Sequence, residues 1–129
     1  MKALVDAIWS EWDGSGALKV ALPRFYLQQA PDPDKAEFPY GVYSIVAGSQ
    51  DDTFNEECED FTVQFDLYSE AYDATALMAI YDLFTAEFDY VDLTLAGWTC
   101  TWCRRELMDL TYEDGVWRYM LQYSIRISR

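Results

Sequence analysis

The sequence predicts an α+β fold, in which a mainly antiparallel or mixed sheet of about five to six strands carries two helices packed on one face. Two segments place apolar residues at helical spacing. Other apolar segments are short and rich in aromatic and β-branched residues, and two of them alternate apolar with polar positions. Polar turns join neighbouring strands, which favours hairpins. The predicted order is α-β-β-β-α-β-β-β.

The chain is long enough to bury a core of ordinary size. It has 129 residues, of which 51% are hydrophobic and 17% aromatic. A disordered acidic chain would contain few aromatic residues. We find no internal repeat and no linker that divides the chain, so we predict one domain over residues 1–129.

The first third predicts a helix, a short strand and a loop. Residues 3–12 form the helix, and the apolar side chains that share one of its faces are Leu4, Val5, Ile8, Trp9 and Trp12. The run 13–16 is rich in glycine and ends it. Residues 24–28 predict a strand, and the prolines of 30–35 predict a loop.

The middle of the chain predicts a hairpin with an extended tip. Residues 40–47 are rich in Tyr, Val and Ile, as strands are. The polar, acidic run 48–55 predicts a loop. Residues 59–68 alternate cleanly between an apolar set (Phe61, Val63, Phe65, Leu67) and a polar set (Thr62, Gln64, Asp66, Tyr68).

The last part of the chain predicts a second helix and three strands. Residues 73–88 form the helix, with Asp73 or Ser69 as N-cap. Its apolar stripe consists of Leu77, Ile80, Tyr81, Phe84 and Phe88. The predicted strands are 91–95, 98–108 and 116–128. The last two are joined by a turn that ends in Gly115, which is free to take positive φ.

The negative charge is concentrated in the middle of the chain. No lysine or arginine lies between Lys35 and Arg104, whereas 14 of the 23 acidic residues do. The remaining nine acidic residues balance the nine basic ones, so this stretch accounts for the whole net charge of −14. A negative surface of this kind argues against a nucleic-acid-binding face.

The residues that usually perform catalysis or bind metals are scarce. There is no histidine. Cys100 and Cys103 form a CxxC motif, but residues three apart on a strand are expected to face opposite sides, and no second motif completes a zinc site. We therefore expect no enzyme activity, no cofactor and no metal. Three cysteines without a secretory signal fit a reducing cytosol, and no apolar run is long enough to cross a membrane.

Several segments in a fixed order resemble one family over nearly the whole chain. They are Arg24-Phe25-Tyr26, Ala30-Pro31, Phe38–Ile45, Glu59–Ser69, Arg104-Arg105-Glu106 and Tyr112–Tyr119. This order and spacing resemble the tail-completion, or tail-terminator, family of long-tailed bacteriophages and gene transfer agents, of which the lambda-type terminator is one example.

The resemblance implies a structural protein of the virion. Such a subunit would form a homohexameric ring that caps the tail tube, stops tube polymerisation and joins the tail to the head-side connector or stopper protein. It would act in the neck region of the virion after assembly in the cytoplasm of the host bacterium. Catalytic residues, cofactors and membrane partners are not implied.

In such a ring, DNA must pass through the lumen without specific binding, and the charge pattern suggests how binding is avoided. An acidic lumen would repel duplex DNA over about one Debye length, roughly 8–10 Å. We predict that part of the 51–60 segment, or the acids flanking helix 73–88, lines the channel. The candidates in the first segment are Asp51, Asp52, Glu56, Glu57, Glu59 and Asp60.

Four arginines late in the chain are candidates for contacts between subunits: Arg104, Arg105, Arg118 and Arg126. Arginine suits carboxylate pairing across interfaces, so these residues are predicted to pair with the acidic middle of a neighbouring subunit. The alternative is that they pair within their own chain or remain exposed.

Two other functions are compatible with this composition. The chain could be a different neck component, such as a head-closure ring or a minor tail protein. It could also be an acidic DNA mimic that blocks a DNA-binding enzyme, in which case its carboxylates would lie at phosphate-like spacing.

Overall fold

The computed structural model describes residues 1–30, 37–52, 54–70 and 73–129. The helices are α1 (Lys2–Asp13), α2 (Ala17–Ala21) and α3 (Thr75–Phe88). The strands are β1 (Phe25–Leu27), β2 (Tyr40–Gln50), β3 (Cys58–Ser69), β4 (Thr94–Leu95), β5 (Trp98–Glu113) and β6 (Val116–Ser128). Within these ranges no helix is long and apolar enough to cross a bilayer.

The six strands form one mixed sheet in the order β1-β2-β3-β6-β5-β4. β1 pairs with β2 in parallel, and every other pairing is antiparallel. One cross-sheet row runs through Tyr43, Phe65, Leu121 and Met108, which fixes the register of the four long strands. The predicted fold class is confirmed.

The helices cover one face of the sheet, and the core lies between them. Phe65 at the centre is fully buried, and its ring lies 4.9 Å from that of Phe84 and 5.4 Å from that of Tyr123. The apolar stripe of α3 is buried as predicted, with Tyr81 half-buried. At the start of α3, the backbone N–H of Thr75 donates a 2.9 Å hydrogen bond to Oδ1 of Asp73.

The other face of the sheet, which we call the open face, carries no described helix. The register brings alternate residues of β2, β3, β6 and β5 to this side, because side chains alternate along a strand. Most of them are polar: Ser44, Thr62, Gln64, Asp66, Gln122, Ser124 and Arg104 are examples. The clean alternation predicted for 59–68 therefore separates a core side from a polar side.

Some predicted boundaries are wrong. The helix α2 was not expected, and it follows Gly16, whose φ of 66° breaks the chain direction after α1. Instead of a strand over 91–95, β4 spans only two residues. Two strands are longer than predicted: β2 continues past residue 47 to Gln50, and β5 continues past residue 108 to Glu113. Trp9, expected on the buried face of α1, is 44% exposed.

The prediction that Cys100 and Cys103 face opposite sides of the sheet is also wrong. Cys100 lies opposite Ile127 and Cys103 opposite Ile125, so both thiols face the helix side. The reason is a β-bulge between Cys100 and Trp102, which inserts one extra residue and reverses the alternation. Burial raises the pKa of both thiols, so they are poor nucleophiles. The described residues contain no group of three side chains able to hold a metal ion.

Candidate assembly surfaces

The open face is a connected network of polar side chains. Asp66 is 8% exposed and accepts a 2.9 Å hydrogen bond from Nε of Arg118. Nε2 of Gln64 donates to the same carboxylate at 3.0 Å, and Nε2 of Gln122 donates to Oε1 of Gln64 at 3.2 Å. These bonds join β3 to β6 across the middle of the face. The network holds side chains in place without exposing an apolar patch there.

Opposite charges are matched on this face. Asp60, Asp66 and Asp109 lie on it together with Arg104, Arg118 and Arg126. Arg126 approaches Asp60 at 3.3 Å, and Arg118 approaches Asp66 at 2.7 Å. The open face is therefore polar but not strongly negative. Most of the net negative charge lies on the helices, at the strand tips and in the connections.

An arginine and tryptophan cluster lies at the β5 side of the open face. The guanidinium carbons of Arg104 and Arg126 lie 4.1 and 5.1 Å from the centre of the Trp102 ring. The indole Nε1–H of Trp102 donates to Oγ of Ser124 at 3.2 Å. The ring is thus fixed between two cations, which is a favourable arrangement for guanidinium groups.

The β2–β3 connection forms an acidic tip. Backbone hydrogen bonds of 2.9 Å join Glu57 and Arg129 in both directions, so the tip is tied to the last residue of the chain. Nε of Arg129 also donates to Glu57 at 2.8 Å. At the outer end, Phe54 is fully exposed, with a relative accessibility of 103%. The tip presents carboxylates around an exposed aromatic ring.

The six acidic residues predicted to line a channel do not share one surface. Four of them lie at the exposed tip: Asp51, Asp52, Glu56 and Glu57. Asp60 is on the open face, whereas Glu59 lies opposite Ile127 and so points to the helix side. The strand period of two explains the separation of Glu59 from Asp60.

The four predicted interface arginines have partners in their own chain. Arg105 lies 3.3 Å from Asp89, and Arg118 lies 2.7 Å from Asp66. Arg126 contacts both Asp51 and Asp60, so three of the four pair with acidic residues of the middle segment. Arg104 stacks on Trp102, and no ion pair of Arg104 occurs with the described residues. Contacts of these arginines with a neighbouring subunit stay a prediction.

Two carboxyl groups face each other between α1 and α3. Burial, followed by a hydrogen bond and charge repulsion from Glu87, raises the pKa of Glu11 to about 7. Glu11 therefore keeps its proton to a higher pH than an ordinary glutamate, because burial and a nearby carboxyl group both disfavour its charged form. This contact links the N-terminal helix to the central one.

A second polar group lies under α3. The hydroxyl of Tyr123 donates to Oδ1 of Asp89 at 2.6 Å, and Arg105 approaches the other oxygen of that carboxylate. Burial and the Asp89 bond raise the pKa of Tyr123 well above its usual range, so it remains a neutral donor. These bonds fix the end of α3 to the sheet.

The whole fold matches that of a chain in a solved virion. That chain belongs to a structure described as the virion of a native gene transfer agent particle. The TM-score is 0.85, and the match covers 99% of this chain and 96% of that chain at 13% sequence identity. No protein-family model matches the chain. No curated protein matches it in sequence.

Two features of these surfaces are not among the expectations drawn from the sequence. The polar network through Gln64 and Gln122, and the carboxyl pair of Glu11 and Glu87, were not predicted. The first had a visible signal, since polar residues alternate along both β3 and β6. The second had none, because it depends on how α1 packs against α3.

Proposed function

We propose that this protein is a tail terminator of a bacteriophage or gene transfer agent. In this function it forms a hexameric ring that caps the tail tube, stops tube polymerisation and joins the tail to the head-side connector. The observation that carries the proposal is the likeness over 99% of the chain to a chain of a gene transfer agent virion, with a TM-score of 0.85. The order of sequence segments that resembles the terminator family supports the same function.

The surfaces suit a structural role. The thiols of Cys100 and Cys103 face the helix side with raised pKa values, and Tyr123 is held neutral. The fold presents a polar sheet face, long strands and a charged tip, and surfaces of this kind can contact other proteins. The proposed partners are other copies of this chain, the tube protein and the connector or stopper, in the neck of the virion.

DNA would pass through the ring without being bound. Two of the three arginines of the open face, Arg118 and Arg126, are paired with Asp66 and Asp60, which makes them less available to bind phosphates. The acidic tip adds repulsion wherever it borders the channel, over about one Debye length. We propose that tip acids, with Asp60, contribute to the channel wall.

A test is negative-stain electron microscopy of this protein co-expressed with the tube protein of the same particle, together with native mass spectrometry. Six-fold rings, or short tubes capped at one end, are expected. A monomer or dimer that forms no ring and binds no tube would overturn the proposal. Rings that bind the connector but never a tube would favour a head-closure role instead, because the virion likeness does not specify a position in the particle.

A further inference from the structure

The two long outer strands of the sheet have bare edges. Cys103 accepts a backbone hydrogen bond from Tyr90, and β4 covers only Trp98 and Thr99. β1 reaches only as far as Tyr43 on β2, where Gln28 donates to its carbonyl. β6 pairs with 104–113 of β5 and β3 pairs with 44–50 of β2 on the inner side. On the outer side of these two stretches, no described residue forms a backbone hydrogen bond. We call these stretches the β5 edge and the β2 edge.

Neither edge contains proline or lysine, two of the features that usually prevent strand pairing, and the β2 edge carries no charge. The β5 edge does carry charged residues and each edge contains a bulge, so pairing would need a strand of matching charge and register. Both expose apolar side chains: Val46 is 54% exposed, Leu107 49% and Met108 53%. An exposed edge of this length is a template for another strand. Its retention in a stable fold suggests that it is used.

The directions of the strands suit pairing between two copies of this chain. β2 and β5 lie at opposite sides of the sheet, and the three antiparallel pairings between them make the two strands antiparallel to each other. When the sheet of one copy continues into the next, β5 therefore meets an antiparallel β2. Such a head-to-tail contact uses two different surfaces and closes into a ring when the rotation allows.

Side-chain direction and charge select one register. Asp51, directly after the β2 edge, has a charge opposite to that of Arg104, which begins the β5 edge. Placing them opposite each other brings Ser49 to Leu107 and Ala47 to Asp109, which all belong to the open face. Ile45 then meets Leu110 on the helix side. Each edge contains one bulge, at Val46 and at Glu106, and both are needed to keep the faces matched.

The register also places an apolar side chain of the β5 edge next to a glycine. Met108 would lie opposite Gly48, which has no side chain and is covered by the ring of Phe61. Gln50 would lie opposite Arg105. Within one chain, the successive strand pairings place Gln50 in the same cross-sheet row as Cys100 and not in that of Arg105. Neighbouring copies would therefore be offset from each other along the strand direction. A stagger of this kind accompanies the closure of tilted strands into a barrel.

We propose that the β5 edge of one copy binds the β2 edge of a second copy as antiparallel strands, with Arg104 opposite Asp51. The contact rests on the proposed ring function and specifies its interface. It joins the open faces of successive copies into one continuous polar surface. Arg104 is the arginine best placed for this contact, because the other three already pair with carboxylates of their own chain. Asp51 would then be shared between Arg104 of the neighbouring copy and Arg126 of its own chain, which lies 3.1 Å away.

Disulfide trapping tests the register directly. In the double variant Ser49→Cys, Leu107→Cys, the two positions of one chain are separated by three strand spacings, about 14 Å, and by a further offset along the strands, because Ser49 is level with Trp102. This separation is too large for a disulfide. Oxidation should therefore link neighbours and give a ladder up to the hexamer in non-reducing electrophoresis. A matched control is Ser49→Cys, Thr111→Cys, which lies on the same face but four residues out of register, about 13 Å away.

The single variants Ser49→Cys and Leu107→Cys control for the native cysteines, of which Cys58 and Cys103 are buried. At least a tenfold excess of ladder over the control pair is expected. Rings seen by native mass spectrometry with equal cross-linking of both pairs would overturn the register while leaving the ring function intact. Absence of any ring would overturn both proposals. A specific ladder without tube capping would support the edge contact and contradict the terminator role.

Discussion

The two faces of this sheet are built from the same strands by opposite means. On the helix side, Phe65 lies among other aromatic rings and has no exposed surface. On the open face one position away, Gln64 and Asp66 are held by hydrogen bonds to polar neighbours. The comparison teaches that burial of apolar surface stabilises the fold, whereas paired polar groups keep the second face ordered and available for assembly.

The largest expected difference between the faces concerns their central residues. Phe65→Ala should lower the free energy of unfolding by about 3–5 kcal/mol, because it leaves a cavity among aromatic rings. Gln64→Ala on the open face should cost only about 1 kcal/mol, the worth of an ordinary hydrogen bond. Urea denaturation followed by fluorescence measures both. Equal losses would contradict the assignment of the core to the helix side.

The ion pair of the open face is the next test. Asp66→Ala should cost about 1.5–3 kcal/mol, because it removes charge-assisted hydrogen bonds from Arg118 and Gln64 at a buried carboxylate. Asp6→Ala is the matched control, since the exposed pair of Asp6 with Lys2 is worth about 0.3–0.5 kcal/mol. Comparable losses in thermal melts would show that the open-face network contributes no more than a surface pair.

The carboxyl pair between the helices predicts a pH effect on the helix side. The folded-state pKa of Glu11 is raised from 4.5 to about 7, so its contribution to stability is full below 4.5 and is lost as pH rises through 7. Glu11→Gln should therefore raise the melting temperature relative to the wild type at pH 8. The gain should disappear at pH 4.

The exposed residue Glu106 supplies the control for that pH series. Glu106→Gln should give a small difference from the wild type that does not follow the same pH window. If Glu11→Gln gave an equal shift at pH 4 and pH 8, the raised pKa of Glu11 would be excluded as its cause.

Substitution of Arg104 should have the smallest effect on stability but a clear effect on assembly. Arg104→Glu removes a stacked but exposed side chain, so the free energy of unfolding should change by no more than about 0.5 kcal/mol. The same change places two acids opposite each other at the proposed contact, and the ring fraction should fall several-fold in native mass spectrometry. Unchanged ring formation would remove Arg104 from the interface.

The core face could be predicted from the sequence, whereas the assembly surfaces could only be predicted in part. The alternation of 59–68 and the stripe of α3 are strong local patterns, and both were confirmed. The five-residue helix α2 follows Gly16 and has no periodic signal. The facing of Cys103 depends on a bulge, and the partners of Arg118 and Arg126 depend on strand register. None of these can be seen in a single stretch of sequence.

The central claim is that this protein ends tube growth, and a tube-length assay tests it most directly. Purified tube protein would be polymerised from a tail-tip nucleus, with this protein added partway through, and tube lengths measured by electron microscopy. The account predicts arrest at the length reached on addition, with a ring at the growing end, and weaker arrest with Arg104→Glu. Continued growth with uncapped ends, at a concentration where rings are present, would contradict it.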